Sequence, residues 1–380
     1  MRQFPLGVIC VLVVIITLSL GLWPFHVPEN EVNWLPEAHG LHFGNHATVI
    51  SSGAFQREAP PPEPPCSVEI WLQPTHSRNS STILAFYRGQ KHLGLSLHQS
   101  ISDLSIEVGD SDLPYPARTL HMYVDDIFSQ RRAVFVTVTS GARGTSAYVD
   151  GALARTAAQH PLSATACTGR LILGDSALQS DTWSGQVNGL AIYSSELPAT
   201  TVLAHYKAWT EHRQPDVIPG QHCVGLYRFE EGAGSVVHNR AGSGLELTIP
   251  PSYNVLDQIF LEPFWEEFNM SWGYWKNAIK NVIGFVPLGF CFYGYFLGTR
   301  NTSRPALVAV IVGTVVSLTI EVLQGFLPTR QSGTTDIITN SLGTYLGVVS
   351  CRPVGPILAK IIPWIPWFLP ESVVAPKNRG

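Results

Sequence analysis

Charged side chains are scarce in this sequence: they make up 14% of its 380 residues, against 45% hydrophobic residues. The formal net charge is only -4, and no basic stripe is present, so nucleic acid is excluded as a partner. So little charge is unusual for a soluble protein and indicates that part of the chain lies in a membrane. The length leaves room for a folded core and several membrane spans.

Cysteine is also rare, and the spacings of the six residues match no zinc-binding pattern. Three cysteines lie in or beside apolar runs, where they are expected to be inert. The other three are Cys66, Cys167 and Cys223, in the middle of the chain. If that region is outside the cytoplasm, one pair can form a disulfide and one cysteine is left over.

The first long apolar run covers residues 4–23 and follows Arg2. It is about long enough to cross a bilayer as a helix. A cleavable signal peptide is the alternative, but the run is long for a signal peptide and no small-x-small cleavage site follows it. We therefore predict a first transmembrane helix over residues 1–25.

Short β-type segments separated by Gly, Asn, Asp, Ser and Pro fill residues 26–253, which predicts an antiparallel sandwich. Within 67–73, Val68, Ile70 and Leu72 alternate with polar residues. Asp150-Gly151 is a hairpin signal between two strands.

Two other segments of this region differ from strands. Residues 59–65 are rich in proline and read as a stiff connector. Residues 198–209 predict a helix with Leu203, Tyr206 and Trp209 on its buried side.

The order of these segments resembles the concanavalin-like, laminin-G-type jelly roll. The residues that carry the resemblance are LHFGNH at 41–46, SVEIWLQP at 67–74, VDG at 149–151, LILGD at 171–175 and GLAIY at 189–193. The run LYRFEEGAG at 226–234 resembles the opening strand of that family, yet it comes last. We expect it to complete the same sandwich in a permuted position; a truncated second copy is the alternative.

The resemblance implies a module that binds sugars or proteins, and some such domains bind calcium in their loops. The acids that would supply oxygen ligands are Asp103, Asp110, Asp112, Asp125 and Asp126. We favour their reading as solvated turn residues and predict no cofactor. The strands lack the Glu-x-Asp-x-x-Glu arrangement of hydrolytic relatives, which favours a binding or spacer module over a glycosidase.

Aromatic residues dominate residues 254–275, which predicts a segment at the membrane surface. Its aromatic residues are Phe260, Phe264, Trp265, Phe268, Trp272, Tyr274 and Trp275. Three acids, Glu262, Glu266 and Glu267, lie between them.

Residues 276–351 predict a helical bundle with spans at about 278–297, 306–326 and 336–350. Pro287 is expected to kink the first of these, while Gly284 and Gly289 permit close helix contact. Arginines place the short loops inside, so the sandwich faces outward. Residues 352–380 form either a fifth span or an interfacial segment with a tail, so the whole bundle has four or five spans.

Polar residues are concentrated around the turn between the last two of these spans. Glu321 and Gln324 share one helix face, Asp336 and Asn340 share another, and Arg330 lies between them. Charged groups in contact with lipid are costly, so these side chains are expected to point inward and to form a polar cluster.

These spans resemble the VanZ-like family of small polytopic membrane proteins, named for a determinant of teicoplanin resistance. The carrying residues are KNVIGFVPLGF at 280–290, EVLQ at 321–324, Arg330, Ser332, Asp336 and NSLG at 340–343. The resemblance makes the candidate site Glu321, Gln324, Arg330, Ser332, Asp336 and Asn340, supported by Lys280, Asn281, Pro287 and Gly289. It implies a multi-pass protein of the bacterial cytoplasmic membrane with the sandwich outside.

Three functions follow from this organisation. The first is a non-enzymatic envelope protein, acting in envelope function or glycopeptide resistance, whose bundle contacts membrane lipid and whose sandwich contacts a glycan or other cell-wall component. The second is an intramembrane enzyme that acts on a lipid-linked phosphate or sugar through Glu321 and Asp336. No histidine lies near the cluster and no nucleophile pair is visible, which counts against it. In the third, the polar residues only hold helix to helix.

Overall fold

The computed structural model divides into two compact units, which are described separately. One unit is Val27–Gln258, and the other combines Met1–His26 with Ile259–Gly380. The structure describes residues 3–36, 39–56, 65–109, 118–158, 160–162, 165–212, 222–242, 244–268, 270, 272–298 and 302–361.

Six α-helices lie in the described residues. They are α1 (Gln3–Leu22), α2 (Ala199–Lys207), α3 (Phe264–Glu267), α4 (Trp272–Gly298), α5 (Pro305–Gln324) and α6 (Thr334–Ile361). A π-helical turn, Ala208–His212, continues α2.

Sixteen strands lie in the Val27–Gln258 unit as described. The first eight are β1 (Val32–Trp34), β2 (Leu41–Phe43), β3 (Val49–Phe55), β4 (Ser67–Pro74), β5 (Asn79–Tyr87), β6 (Leu93–Ile101), β7 (Asp103–Gly109) and β8 (Arg118–Val124). The others are β9 (Val134–Gly141), β10 (Gly144–Val149), β11 (Ala152–Ala158), β12 (Gly169–Leu173), β13 (Gly185–Tyr193), β14 (Cys223–Tyr227), β15 (Val236–Val237) and β16 (Leu247–Thr248).

The strands form two antiparallel sheets, so the predicted all-β sandwich is confirmed. The first sheet has the order β1-β2-β13-β4-β9-β10-β11, and β14 also pairs with β13. The second sheet has the order β15-β16-β3-β12-β5-β6-β7-β8. Apolar side chains of both sheets share one buried cluster that contains the predicted Val68, Ile70 and Leu72. The core therefore lies between the sheets, as in other sandwiches.

The late strands complete this sandwich. β14 joins the first sheet through β13, and β16 joins the second through β3. The prediction that LYRFEEGAG at 226–234 belongs to the same sandwich is therefore confirmed for its strand residues, which end β14.

A disulfide between Cys66 and Cys167 links the two sheets, and Cys223 is free. Cys66 precedes β4 of the first sheet and Cys167 precedes β12 of the second. The sequence predicts one disulfide and one free cysteine but does not identify the paired residues, and the fold shows that Cys66 and Cys167 are the pair.

Helix α2 covers the outer face of the first sheet, and its buried side differs from the prediction. Val202, His205 and Trp209 are buried, whereas Leu203 is exposed. The reason is the sheet beneath, where Glu69 offers a buried partner to His205 at 3.0 Å. That pairing turns the helix so that its polar histidine faces inward.

The other unit is helical, and α1 packs with α4 and α5 around Phe285, Leu288 and Ile320. Two described helices, α4 and α5, are long and apolar enough to cross a membrane, and Leu6–Leu22 is a shorter apolar helix. Four or five spans stay a prediction.

The last helix is longer than the span predicted at about 336–350, whose limits stay a prediction. Helix α6 continues to Ile361, through Pro353 and Pro356. A proline removes one helical hydrogen bond, but its fixed φ is compatible with a helix, so the chain continues. Helix α4 likewise continues through Pro287. The proposed fifth span lies mostly outside the described residues, as does nearly all of the proline-rich connector at 59–65.

Candidate functional site

A cavity of about 760 Å³ lies among α1, α4, α5 and α6. Its polar lining contains most of the predicted polar residues: Lys280, Asn281, Glu321, Gln324, Arg330, Asp336 and Asn340. Its apolar lining comes mainly from α1 and α4: Val13, Ile16, Leu20, Phe285 and Pro287, with Ile320 from α5. Because the volume falls within the range of known ligand sites, the cavity has room for a small polar group.

Glu321 is the most deeply buried charged residue of this lining, with 1% of its surface exposed. The backbone N–H of Gly333 donates to its Oε2 at 2.9 Å. Asp336 is half-buried and hydrogen-bonds with Asn281 of α4. The two acids therefore lie on different helices; the loop before α6 binds Glu321, and α4 binds Asp336.

Two amide side chains of the cavity lining each have a buried acceptor oxygen without a hydrogen-bond partner among the described residues. Gln324 donates through Nε2 to the carbonyl of Gly21 at 2.8 Å, and Asn340 donates through Nδ2 to Ser317 Oγ at 2.9 Å. Among the described residues, Gln324 Oε1 and Asn340 Oδ1 are buried with no hydrogen-bond partner. Buried acceptors without partners are costly, so the cavity is suited to a ligand that donates hydrogen bonds.

Cationic groups face the same cavity. Arg330 lines it and donates through Nη2 to the carbonyl of Trp23, at the end of α1. Lys280 of α4 is exposed on the cavity wall. Cations, carboxylates and amides together can bind a group that carries an anion and hydrogen-bond donors.

Ser332 lies outside the cavity lining and supports the loop instead. Its Oγ donates to the carbonyl of Glu321 at 2.7 Å, and its carbonyl accepts from the N–H of Glu262 at 2.9 Å. Glu267 accepts from the N–H of Thr335 at 2.8 Å. The aromatic segment before α4 is thus hydrogen-bonded to the loop that closes the cluster.

Gly289 allows helices α4 and α6 to approach closely. A Cβ at Gly289 would collide with the backbone of Thr344, so no side chain fits there. Gly284 differs, because a Cβ there meets no atom within 4 Å. The expected close contact is therefore right for Gly289 and wrong for Gly284, which lines the cavity instead.

The structure adds cavity residues that the sequence did not single out. Thr17 and Gly21 of α1 and Asn277 of α4 line it. Thr17 is one of two hydroxyl residues in an otherwise apolar run, and this pattern could have identified it as a candidate cavity residue. Gly21 and the amide of Gly333 act through the backbone, and no side-chain pattern identifies them.

The sandwich carries a polar recess of about 190 Å³ on the outer face of the second sheet. In β5, Thr82 donates to Asp181 Oδ2 at 2.5 Å; in β7, Ser105 donates to Glu107 Oε1 at 3.1 Å. His98 of β6 bonds to Thr82 and to Ser96, both at 3.0 Å. These side chains are bonded to one another, and their hydroxyls and carboxylates are groups that bind sugars.

Asp175 orders the loop that forms one wall of this recess. Its Oδ1 accepts from the N–H groups of Ser176 and Asp181, both at 2.8 Å, and Tyr253 OH donates to Oδ2 at 2.6 Å. Burial disfavours the charged carboxylate and raises the pKa of Asp175 to about 7. Burial also raises the pKa of Asp181 to about 6, against the lowering effect of the bond from Thr82.

Of the acids considered for calcium, Asp125 and Asp126 lie in a turn, whereas Asp103 begins β7. Asp103 Oδ1 accepts from the N–H of Asp126 at 2.8 Å, and Asp125 and Asp126 are exposed. Asp110 and Asp112 lie outside the described residues. Across the described part of the chain, no group of three or more His, Cys, Asp or Glu residues is arranged to hold a metal ion.

Two solved structures show the extent of similarity to known folds. A protein of Bacteroides ovatus, described as a candidate carbohydrate binding protein, is 14% identical over 57% of this chain and 59% of its own, with a TM-score of 0.39. The receptor binding domain of botulinum neurotoxin D is 15% identical over 51% of this chain and 49% of its own, with a TM-score of 0.36. This chain therefore spans 59% and 49% of their lengths, and the TM-scores are too low to establish a ligand.

No curated protein matches this chain. Two family models do. The model described as Concanavalin A-like lectin/glucanases superfamily matches residues 52–203, within the sandwich. The model described as VanZ/LLP1 matches residues 232–358; it starts before the predicted boundary at 276 and leaves out α1.

The matches and the fold agree on the two kinds of region. With α4 and α5 apolar enough to cross a bilayer, the VanZ match indicates a membrane protein. The sandwich and the superfamily match support a binding role for this region. The chain therefore combines a VanZ-like region with a concanavalin A-like, laminin-G-type jelly-roll domain.

Proposed function

We propose that the VanZ-like bundle binds the headgroup of a phosphate-bearing membrane lipid in the cavity among α1, α4, α5 and α6. The single observation that carries this proposal is the lining of the cavity. It brings cations and carboxylates together beside an apolar wall, next to the buried and unpartnered acceptors Gln324 Oε1 and Asn340 Oδ1. A headgroup that carries both a phosphate and hydrogen-bond donors complements this set.

Each polar group has a role in this proposal. Arg330 and Lys280 bind the phosphate, because a guanidinium and an ammonium both pair with its oxygens. Gln324, Asn340 and the carboxylates Glu321 and Asp336 accept hydrogen bonds from an amine or hydroxyls. Such a lipid would satisfy the buried acceptors that the chain itself leaves without a partner.

The sandwich is the outward-facing partner of this function, on the outer side of the bacterial cytoplasmic membrane. We expect its polar recess to contact a glycan or cell-wall component. Resistance to teicoplanin-type glycopeptides is the physiological setting that the VanZ-like match favours. No catalytic step is included, since no histidine, cysteine or serine is among the residues that line the cavity within the described chain.

Binding of phosphatidylethanolamine and phosphatidylglycerol to the purified full chain in detergent micelles tests the headgroup proposal. Arg330→Gln is expected to weaken binding by about tenfold or more, because a hydrogen bond to a charged group contributes ~1.5–3 kcal/mol. Arg304→Gln is the matched control, since Arg304 is exposed at the other end of α5. Equal losses in both variants, or no loss in either, contradict the proposal.

The same variants separate binding from turnover and from support of the fold. Glu321→Gln, measured for lipid affinity, thermal stability and teicoplanin susceptibility, should lose affinity and resistance while its melting temperature stays near that of the wild type. Release of phosphate or of a new lipid product by the wild type, stopped by Glu321→Gln, would instead support the intramembrane enzyme. A lowered melting temperature with unchanged affinity would make Glu321 a support for helix packing.

A further inference from the structure

A pocket of about 200 Å³ lies on the outer face of the first sheet, beside the π-helical turn that follows α2. It is separate from the polar recess, which lies on the outer face of the second sheet. Its lining includes two indoles, three amide side chains and one guanidinium: Trp71, Trp209, Gln73, Gln186, Asn188 and Arg228. No carboxylate is among the described residues that line it.

A β-bulge in β13 places two successive residues on this outer face. The register of β13 against β4 shifts between Val187 and Gly189, so Asn188 is an extra residue in its strand. Val187 and Leu190 both lie in the core between the sheets, so Asn188 and Gly189 share the outer face. Bulges are often found beside binding sites, where they redirect a side chain. Here the bulge brings the amide of Asn188 into the pocket lining.

The indole of Trp209 lies directly over Gly189. A Cβ at Gly189 would collide with three carbons of the six-membered ring of this indole, so only glycine permits the contact. Trp209 itself belongs to the π-helical turn Ala208–His212, and single π-helical turns are frequent at functional sites. A bulge, a required glycine and a π-helical turn therefore meet at one pocket.

Two fully buried indoles of the sandwich differ in their hydrogen bonding. Trp183 Nε1 donates to Gln99 Oε1 at 3.0 Å. Trp209 is only 2% exposed, and its Nε1 has no acceptor among the described residues. An unpaired buried donor lowers stability, so packing alone does not account for an indole at this position. A ligand whose acceptor reaches the edge of this indole would offset that cost.

We propose that this pocket binds one N-acetylated sugar residue, at a site distinct from the headgroup cavity and from the recess. The apolar C–H face of the sugar ring packs on the half-buried indole of Trp71. The carbonyl of the acetamido group accepts from Arg228, and its N–H donates to the amide oxygen of Gln186 or Asn188. The volume lies below the ~300–1,000 Å³ of most small-molecule sites, so it limits the occupant to a single ring.

The lining favours an acetamido group over the other common substituents of a sugar. A carboxylate would need an uncompensated cation, but Arg228 Nη1 already lies 3.6 Å from Glu230 Oε1. Hydroxyls alone would leave the apolar surface of the indoles without a methyl group to pack on it. An acetamido group supplies an acceptor, a donor and a methyl group together, and the amide side chains match the first two.

Calorimetric titration of the full chain, in micelles of a detergent that contains no sugar, tests the assignment. N-acetylglucosamine is the probe, and glucose and glucuronate are the comparisons, because the three share one ring. N-acetylglucosamine is expected to bind about tenfold more tightly than either. Equal affinities for N-acetylglucosamine and glucose, tighter binding of glucuronate, or no binding of N-acetylglucosamine would overturn the proposal.

Asn188→Ala removes one amide of the pocket and has a matched control in Asn33→Ala. Asn33 is exposed on β1 of the same sheet and does not line the pocket. Asn188→Ala should weaken binding of N-acetylglucosamine about fivefold, and Asn33→Ala should leave it unchanged. If calorimetry shows a lowered sandwich transition in Asn188→Ala, Gln186→Ala makes the same test without altering the bulge. Equal affinities in the wild type and in both pocket variants would overturn the site.

Glu107→Gln separates this pocket from the recess. Glu107 lines the recess and not the pocket, so its substitution should leave the affinity for N-acetylglucosamine unchanged. A loss of affinity in Glu107→Gln, with none in Asn188→Ala, would place the sugar in the recess and overturn the pocket. Lipid binding by the bundle should be equal in all these variants, so failure of this proposal leaves the headgroup proposal standing.

Discussion

Polar side chains line both the recess of the sandwich and the cavity of the bundle, but the two sets differ in their hydrogen bonding. In the recess, Thr82, His98 and Asp181 are hydrogen-bonded to one another. In the cavity, Gln324 and Asn340 each use their amide N–H and leave an acceptor oxygen buried without a partner. The polar groups of the recess are hydrogen-bonded within the chain, whereas the acceptor oxygens of Gln324 and Asn340 need a donor from outside the chain.

This difference has a thermodynamic meaning. Buried polar groups that are fully paired make a fold specific at little cost, whereas an unpaired buried acceptor costs roughly 1–3 kcal/mol. Gln324 and Asn340 each contribute one hydrogen bond to the bundle, to Gly21 and to Ser317, while their acceptor oxygens lower its stability. Their presence favours a ligand as the compensation, and it makes the cavity the stronger of the two candidate sites.

The two units also differ in how they are held together. The sandwich has a covalent link, the disulfide between Cys66 and Cys167, which closes a loop with a sequence separation of 101. The bundle depends on close approach of helices, as at Gly289 against Thr344. Changes to each should therefore affect one unit and spare the other.

Removal of the disulfide should have the largest effect. Cys66→Ala with Cys167→Ala frees a loop of about 100 residues in the unfolded chain, for which the chain-entropy estimate is about 4.7 kcal/mol. The sandwich transition of the full chain, followed by calorimetry, should move to lower temperature while lipid binding by the bundle is unchanged. Cys223→Ala is the control, because Cys223 is free. An equal shift in that control would show that side-chain packing, and not the link, is responsible.

Local sequence patterns predicted the parts of the fold that depend on neighbours in the chain. Alternation gave β4 with Val68, Ile70 and Leu72 facing the core, and Asp150-Gly151 gave the turn between β10 and β11. The buried side of α2 depends on Glu69, which is 136 residues from His205, so helical periodicity alone chose Leu203 wrongly. The partner of Cys66 was undetermined for the same reason.

The candidate sites divide in the same way. Glu321, Gln324, Asp336 and Asn340 lie within twenty residues, on two successive helices, so spacing was enough to group them. The recess joins β5, β6 and β7 to the loop at Asp181, 99 residues from Thr82, and no motif connects them. The contribution of a backbone group, such as the amide of Gly333, cannot be predicted from a side-chain pattern in the sequence.

Substitution of Gly289 should have the next largest effect. Gly289→Ala places a methyl group against the backbone of Thr344, and such overpacking costs roughly 1–3 kcal/mol. Thermal unfolding of the full chain in detergent should show a lower bundle transition and an unchanged sandwich transition. Gly284→Ala, on the same helix with open space around its Cβ, should be neutral or stabilising, because alanine favours helices over glycine by ~1 kcal/mol. Equal destabilisation by both variants would contradict the close contact at Gly289.

A substitution in the recess should have the smallest effect. Its test shows whether polar side chains that are already hydrogen-bonded to one another can still bind a glycan. Glu107→Gln keeps the size of the side chain and removes its charge, in a position where Ser105 donates to it and His121 lies 3.3 Å away. If the recess binds a glycan, its affinity for peptidoglycan fragments, measured with the full chain, should fall about tenfold, since a bond to a charged acceptor contributes ~1.5–3 kcal/mol. Asp125→Asn removes the same charge from an exposed turn outside the recess and should leave the affinity unchanged.

Either result of this last test sharpens the contrast between the units. A tenfold loss confined to Glu107→Gln would mean that the hydroxyls and carboxylates of the recess exchange their internal bonds for bonds to sugar at little net cost. Equal affinities in the wild type and both variants would mean that the paired groups serve the fold alone. The sandwich would then act through another surface, and the unpaired acceptors of the bundle would be the better guide to where this protein binds its ligand.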